Sequence, residues 1–254
     1  MKHLVSLLAI VALALGISSS ASAQSQITLL SPNPIQETIN KLVKEFEAKS
    51  GTQVKITYGT GVSTRKTVAD GGALDVTLLF APFDDALKTG NVDKKTQTVV
   101  ARLRLAIAVK KGAPKPDIST PEAVKKTLLN AKSIISVDPA QGSVGGATLL
   151  ALQKMGIADQ VKPKIKWVPN GGGVQDSVAK GETEIALGPY LSDMRNPGID
   201  VVGALPPGAA TPVDITGWLS TSIKDPKAGK ALLNYLKSKE AAPTWEEAKA
   251  FPVK

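Results

Sequence analysis

Short apolar runs alternate along the chain with stretches in which apolar residues recur every three or four positions, a pattern that predicts strands followed by amphipathic helices. Ile27, Leu29 and Leu30 mark the first strand, and Ile35, Ile39, Leu42, Val43 and Phe46 then share one helical stripe that Gly51 ends. A second strand over residues 54–58 precedes a helix that opens near Thr60, and a third over 74–80 precedes a short helix at 82–89. The apolar-basic run 99–109 reads as one or two strands and as the point where the chain leaves a first lobe. Farther on, Thr120 followed by Pro121 has the form of a helix start, with a hydroxyl cap and proline at the first helical position. Strands at 133–137 and 165–168 lead through glycine-rich breaks into helices at 147–155 and 174–180, and a strand at 184–187 runs into Gly188, Pro189 and Tyr190. Residues 199–205 predict a return strand to the first lobe, 213–222 a further strand, 227–236 an amphipathic helix and 244–250 a last helical piece. Strand alternating with helix implies parallel βα units and an α/β fold.

The ends of these strands carry the candidate chemistry. Ser31, the Gly59-Thr60-Gly61 break, residues 143–146 and residues 171–173 each stand between a strand and a helix. Backbone N–H groups at a helix start lack intrahelical partners, and with the helix dipole they form an anion site. In open α/β sheets ligands bind outside the carboxyl ends of the strands, so helix starts from two lobes can converge on one anion. Each loop alone is also ordinary βα connection chemistry. A dinucleotide reading fails, because Thr64 stands where the glycine fingerprint needs its third glycine, and no Gly-Lys-[Ser/Thr] sequence exists. Arg65 shares a helical stripe with Val62, Val68 and Ala69, which places it on the inward or cleft side, while Lys66 points outward. There Arg65 is either a fork for a carboxylate or other oxyanion, or a surface arginine whose stem covers apolar groups. Tyr190 is likewise either a hydroxyl donor to a ligand or part of the core.

The first residues change the picture of where the protein works. Lys2 and His3 precede an apolar run at 4–17, and Ala21-Ser22-Ala23 follows, which is the form of a secretory signal cut after Ala23. The run is shorter than the ~20 residues a spanning helix needs, so a periplasmic location is expected. Beyond it the chain has neither His nor Cys, which excludes Ser-His-Asp and Cys-His nucleophile systems and any zinc site built on those ligands. No metal or cofactor is expected. The adjacent acids Asp84 and Asp85, and Glu246 and Glu247, do not face one another on a helix and suggest no acid–base couple. Without Lys2, 30 Lys and Arg stand against 22 Asp and Glu, a net charge of +8. The lysines are interleaved with carboxylates and aromatics are only 4% of the chain, so no nucleic-acid platform is expected.

The order and spacing of several short motifs resemble the periplasmic solute-binding proteins of ABC transporters, and among them the molybdate-binding family with its type II fold. The carriers are Ile27 to Ser31, Phe46 to Gly51, Gly59-Thr60-Gly61 with Arg65 and Lys66, Ala73 to Val76, Ser119 to Ala123, Asp138 to Gly142, and Gly181 to Ile185. The resemblance implies two lobes, each a mixed, mostly parallel sheet flanked by helices, with residues 24–100 and 206–254 forming one and 101–205 the other. It implies a non-enzymatic monomer that closes on a molybdate- or tungstate-like oxyanion and delivers it to an ABC permease. By motif matching, the ligand contacts fall on Ser31, Thr60 or Gly61, Ser143, Val144 and Gly145, Gly173 or Val174, and Tyr190. Two departures point elsewhere: Pro32 and Pro34 remove backbone donors after the first serine, and Arg65 adds a cation that would suit an organic di- or tricarboxylate. A secreted enzyme using lysine or carboxylate chemistry is the remaining class.

Overall fold

The computed structural model describes residues 25–72, 74–190 and 196–253; the expected signal sequence and its expected cleavage site after Ala23 lie outside them. The first sheet is built from β1 (Gln26–Pro32), β2 (Gln53–Gly59), β3 (Val76–Phe80) and β4 (Val92–Leu103), with α1 (Gln36–Ser50), α2 (Gly61–Ala69) and α3 (Asp84–Leu87) between them. The chain then crosses at Arg104 into a second sheet of β5 (Leu105–Lys110), β6 (Ile134–Val137), β7 (Ile165–Val168), β8 (Ile185–Pro189) and β9 (Ile199–Ala204). Its connections hold α4 (Pro121–Asn130), α5 (Ser143–Lys154), α6 (Ala158–Val161) and α7 (Gly171–Lys180). The chain returns through β10 (Val213–Ser220), α8 (Pro226–Leu236), α9 (Ala242–Glu247) and β11 (Phe251–Pro252) to the first sheet.

Strand orders are β11-β4-β10-β3-β1-β2 and β7-β6-β8-β5-β9. Within them β1 pairs in parallel with β2 and β3, and β6 with β7 and β8, whereas β10 and β5 run antiparallel to their neighbours. Each lobe is thus a mixed sheet flanked by helices, the two-lobed α/β fold. Both sheets reverse their strand order at one strand, β1 in the first and β6 in the second, and the carboxyl end of such a strand is where an open α/β sheet leaves a crevice.

Burial explains the elements. β3 is buried at all five positions, because helices cover both faces of its sheet, and it therefore reads as an unbroken apolar run. One face packs Ile39, Leu42 and Phe46 of α1 with Leu232 and Leu236 of α8; the other packs Leu30, Val68, Leu79 and Trp218. Each such side chain contributes roughly 1.5–3 kcal/mol by leaving water. In the second lobe, Val124, Leu128 and Leu152 cover one sheet face, and Val174 and Val178 cover the other.

Three boundaries differ from expectation. β4 begins at Val92, seven residues before the apolar run, because its polar half pairs with β10 alone and keeps side chains in water. α5 starts at Ser143 and α7 at Gly171, both inside stretches that read as loops. Small residues weaken a local helix signal, but here the tertiary setting holds the first turns.

Candidate functional site

Four helix starts meet at the carboxyl ends of β1, β2, β6 and β7, with the ends of β3 and β8 beside them. Between them is a cavity of ≈ 320 Å3 whose lining includes Asn33, Thr60, Gly61 and Phe80 from the first lobe. Gln141, Ser143, Val144, Asn170, Gly171, Gly172, Gln175 and Pro189 line it from the second. A larger cavity of ≈ 750 Å3 lies at the far end of the second sheet, beside Lys110, Lys126 and Lys132. It meets the carboxyl ends of α4 and α7, at Asn130 and Gly181, which suit the lysines already there rather than an anion. The inter-lobe cavity, which collects helix amino ends, is the candidate site.

Its helix starts are not equivalent. Thr60 caps α2 by accepting the Ser63 N–H at 3.0 Å, and Asn170 caps α7 by accepting the Gly173 N–H at 3.0 Å. α5 has no side-chain cap, since Gly142 occupies that position. A Cβ at Gly142 would stand 2.9 Å from Val137 Cγ1, so the position has no room for a capping side chain. Among the described residues no side chain caps the first-turn donors of α5, and such open donors suit an anion.

Arg65 joins the lobes at this uncapped start. Its Nη1 donates to Ser143 Oγ at 2.6 Å and to the Pro82 carbonyl at 3.0 Å. Burial lowers its pKa from the ordinary value, with Asp85 acting in the opposite sense, and the guanidinium keeps its charge because its ordinary pKa is so high. Ser143 is almost fully buried; a Cβ on Gly61 would lie 3.2 Å from its Oγ, so α2 and α5 meet nearly backbone to side chain. Lys66 faces solvent and pairs with Asp70 at 2.6 Å, as its place on the helix predicts.

Of the expected site residues, Thr60, Gly61, Ser143 and Val144 line the cavity, and Arg65 reaches it through Ser143. Ser31, Gly145, Gly173, Val174 and Tyr190 do not line it. Ser31 is fully buried at the end of β1, and its Oγ has no partner among the described residues. Gly145 lies against the end of β6, where a Cβ would come 2.2 Å from the Val137 carbonyl oxygen. Because α7 opens three residues earlier than expected, the Gly173 N–H is spent on Asn170 and the Val174 side chain turns into the core with Ile135 and Ala186. The Tyr190 N–H bonds the Arg104 carbonyl at 2.7 Å, at the crossover. Sequence reasoning missed the amides Asn33, Gln141, Asn170 and Gln175. Asn170 could have been found, since Asn before a glycine-rich helix start is a capping signal; the others lack a local one.

A family model described as "Bacterial extracellular solute-binding protein" matches residues 27–248. The chain is 31% identical over 241 residues to a protein of Pseudomonas sp named aconitate isomerase, covering 92% of this chain and 90% of that one. It is 23% identical over 244 residues to the molybdate-binding protein ModA of Escherichia coli K12, covering 91% of each. Among solved structures, the substrate binding domain of a putative molybdenum ABC transporter from Clostridium difficile superposes with a TM-score of 0.75 at 16% identity, covering 91% of this chain and all of that one. The chain matches the solute-binding family over most of its length, and the resemblance to molybdate-binding proteins holds. The expectation of a non-enzymatic chain is overturned by the relative named as an isomerase. Missing His and Cys exclude only the Ser-His-Asp and Cys-His nucleophile systems, and an isomerisation that only moves a proton needs neither.

Proposed function

This chain belongs to the bacterial extracellular solute-binding proteins, and we propose that its inter-lobe cleft binds a polycarboxylate of the aconitate kind and isomerises it there. The observation that carries this reading is Arg65, a cation held against Ser143 at a helix start in the cleft that has no side-chain cap. A guanidinium fork matches a carboxylate in geometry and charge, and the free N–H groups of α5 add neutral donors to the same group. Isomerisation of an unsaturated tricarboxylate can proceed by loss of one proton from the allylic methylene, a shift of the double bond, and return of one proton to the former vinyl carbon. No bond to the protein forms, and nothing is oxidised or reduced. A cation at the carboxylate stabilises the charge that develops on its oxygens.

A second reading, a molybdate- or tungstate-like oxyanion, is favoured by the neutral donors of α5 and by the likeness to ModA. In either case closure turns on the crossovers near Arg104 and Leu205; the expected boundary at Ala101 falls inside β4, which pairs with β10 and β11, so residues 101–103 move with the first lobe. The closed form is the one an ABC permease would meet in the periplasm.

Purified protein with cis- or trans-aconitate in D2O tests the reading by NMR. Appearance of the other isomer, with deuterium entering the carbon skeleton, supports it; a substrate left unchanged overturns the isomerase. Ligand-dependent thermal midpoints separate the two anions, since ligand at 100 times Kd adds about 2.7 kcal/mol of stability. Arg65→Ala should weaken carboxylate binding by about tenfold or more and leave molybdate binding little changed.

A further inference from the structure

Two carboxamides on the second-lobe wall of the cleft, Asn170 and Gln175, have their orientation set by the backbone. The Asn170 side-chain oxygen accepts the Gly173 N–H at 3.0 Å, and the Gln175 side-chain oxygen accepts the Asn196 N–H at 3.1 Å. A backbone N–H only donates, so the amide atom facing it is the oxygen, and the NH2 group is the other end. Asn196 is itself held, by its Nδ2 on Asp176 Oδ1 at 3.0 Å and by the Gly198 N–H on its Oδ1 at 2.9 Å. Neither NH2 group has a hydrogen-bond partner among the described residues, although both side chains line the cavity. Asn33 and Gln141, the other amides of the wall, have no comparable bond among the described residues to orient them.

We infer that Asn170 and Gln175 are specificity-determining residues that present paired NH2 donors to a second carboxylate of the ligand, the first being held by Arg65 and α5. This deepens the polycarboxylate reading and rests on it. The logic is one of unmet donors: a monocarboxylate seated at Arg65 leaves both amides facing a closing cleft without an acceptor, and a site built to bond a group rejects the analogue that lacks it. The amides are neutral, so the second carboxylate keeps its own charge, and a ligand with several carboxylates is favoured over one with a single acid.

Gln175→Glu and Asn170→Asp test this. Each keeps an oxygen where the backbone N–H needs one, and Asp caps a helix as well as Asn does. Each replaces the NH2 donor by a carboxylate oxygen. Calorimetry would compare acetate, succinate and the two aconitates on the wild type and both variants, with circular dichroism and the unliganded thermal midpoint as fold controls. The expected result is about a tenfold or larger loss for succinate and the aconitates, with acetate changed far less. Equal losses for acetate and the polycarboxylates, or unchanged affinities throughout, would overturn the inference while leaving the polycarboxylate reading standing. If none of these acids binds the wild type while molybdate does, the reading and the inference fall together.

Discussion

The starts of α5 and α7 sit side by side on the second lobe, follow neighbouring parallel strands, and are both rich in glycine, yet they are solved in opposite ways. α7 satisfies one N–H of its first turn with Asn170, whose NH2 group has no hydrogen-bond partner among the described residues. α5 has Gly142 at the corresponding place, wedged against Val137, and keeps its first-turn donors unspent beside Arg65 and Ser143. The φ of −159° at Gly142 is ordinary extended backbone, so space and not conformation calls for glycine there. The lesson is that two similar anion loops need not do the same job: one offers backbone donors directly, the other offers them by proxy through a side chain.

The contrast can be broken most severely at Gly145. Its Cβ would press on the backbone of Val137, Asp138 and Pro139, at 2.2, 2.7 and 2.7 Å, so neither partner can yield cheaply. Gly145→Ala should lower stability toward the upper end of the ~1–3 kcal/mol that overpacking costs, read by urea denaturation, and should abolish anion-dependent thermal shifts.

A finer test makes α5 resemble α7. In a Val137→Ala background, which removes the clash, Gly142→Ser should add a cap and raise unliganded stability by about 1 kcal/mol relative to Val137→Ala alone. Anion affinity should fall several-fold in calorimetry, because the new hydroxyl competes for the same N–H groups. Unchanged affinity would mean that the α5 donors do not serve the ligand.

The smallest effect concerns a cap far from the cleft. Asp225 caps α8 through the Ala228 N–H at 2.9 Å and accepts the Ser25 hydroxyl at 2.7 Å, and these bonds, the backbone one first, hold its carboxyl below the ordinary 3.8. A depressed carboxyl contributes stability above its unfolded value, and that contribution is lost as pH falls through the lower folded value. Asp225→Asn should leave the thermal midpoint near neutrality within a few degrees and flatten its decline below about pH 4, checked by melts across the acid range.

Much of the fold was legible because periodicity reports burial. The stripe Ile39, Leu42, Val43, Phe46 and the run at β3 are apolar for the reason that they are covered, and both emerged where expected. The polar half of β4 was not legible, since a strand paired on one side with solvated side chains has no apolar signature. Thr60, Gly61, Ser143 and Val144, expected from their loop chemistry, line the cavity. Gly173 and Val174 were misplaced as donors because three glycines conceal the true first turn of α7. The cleft amide Gln175 was missed because nothing in its neighbourhood along the chain sets it apart from a surface glutamine.

By itself the sequence determined the α/β alternation, the absence of His and Cys nucleophiles, the anion-loop composition of the strand ends and the stripe that turns Arg65 inward. Those are local properties, carried by residue type and by spacing within one element. Only the tertiary structure decided that Arg65 ends on Ser143, 78 residues away, that α5 starts without a side-chain cap, and that Asn170 and Gln175 turn their side-chain oxygens to backbone N–H groups. Each of those depends on which distant backbone groups come within hydrogen-bond reach, and packing settles that where spacing along the chain does not.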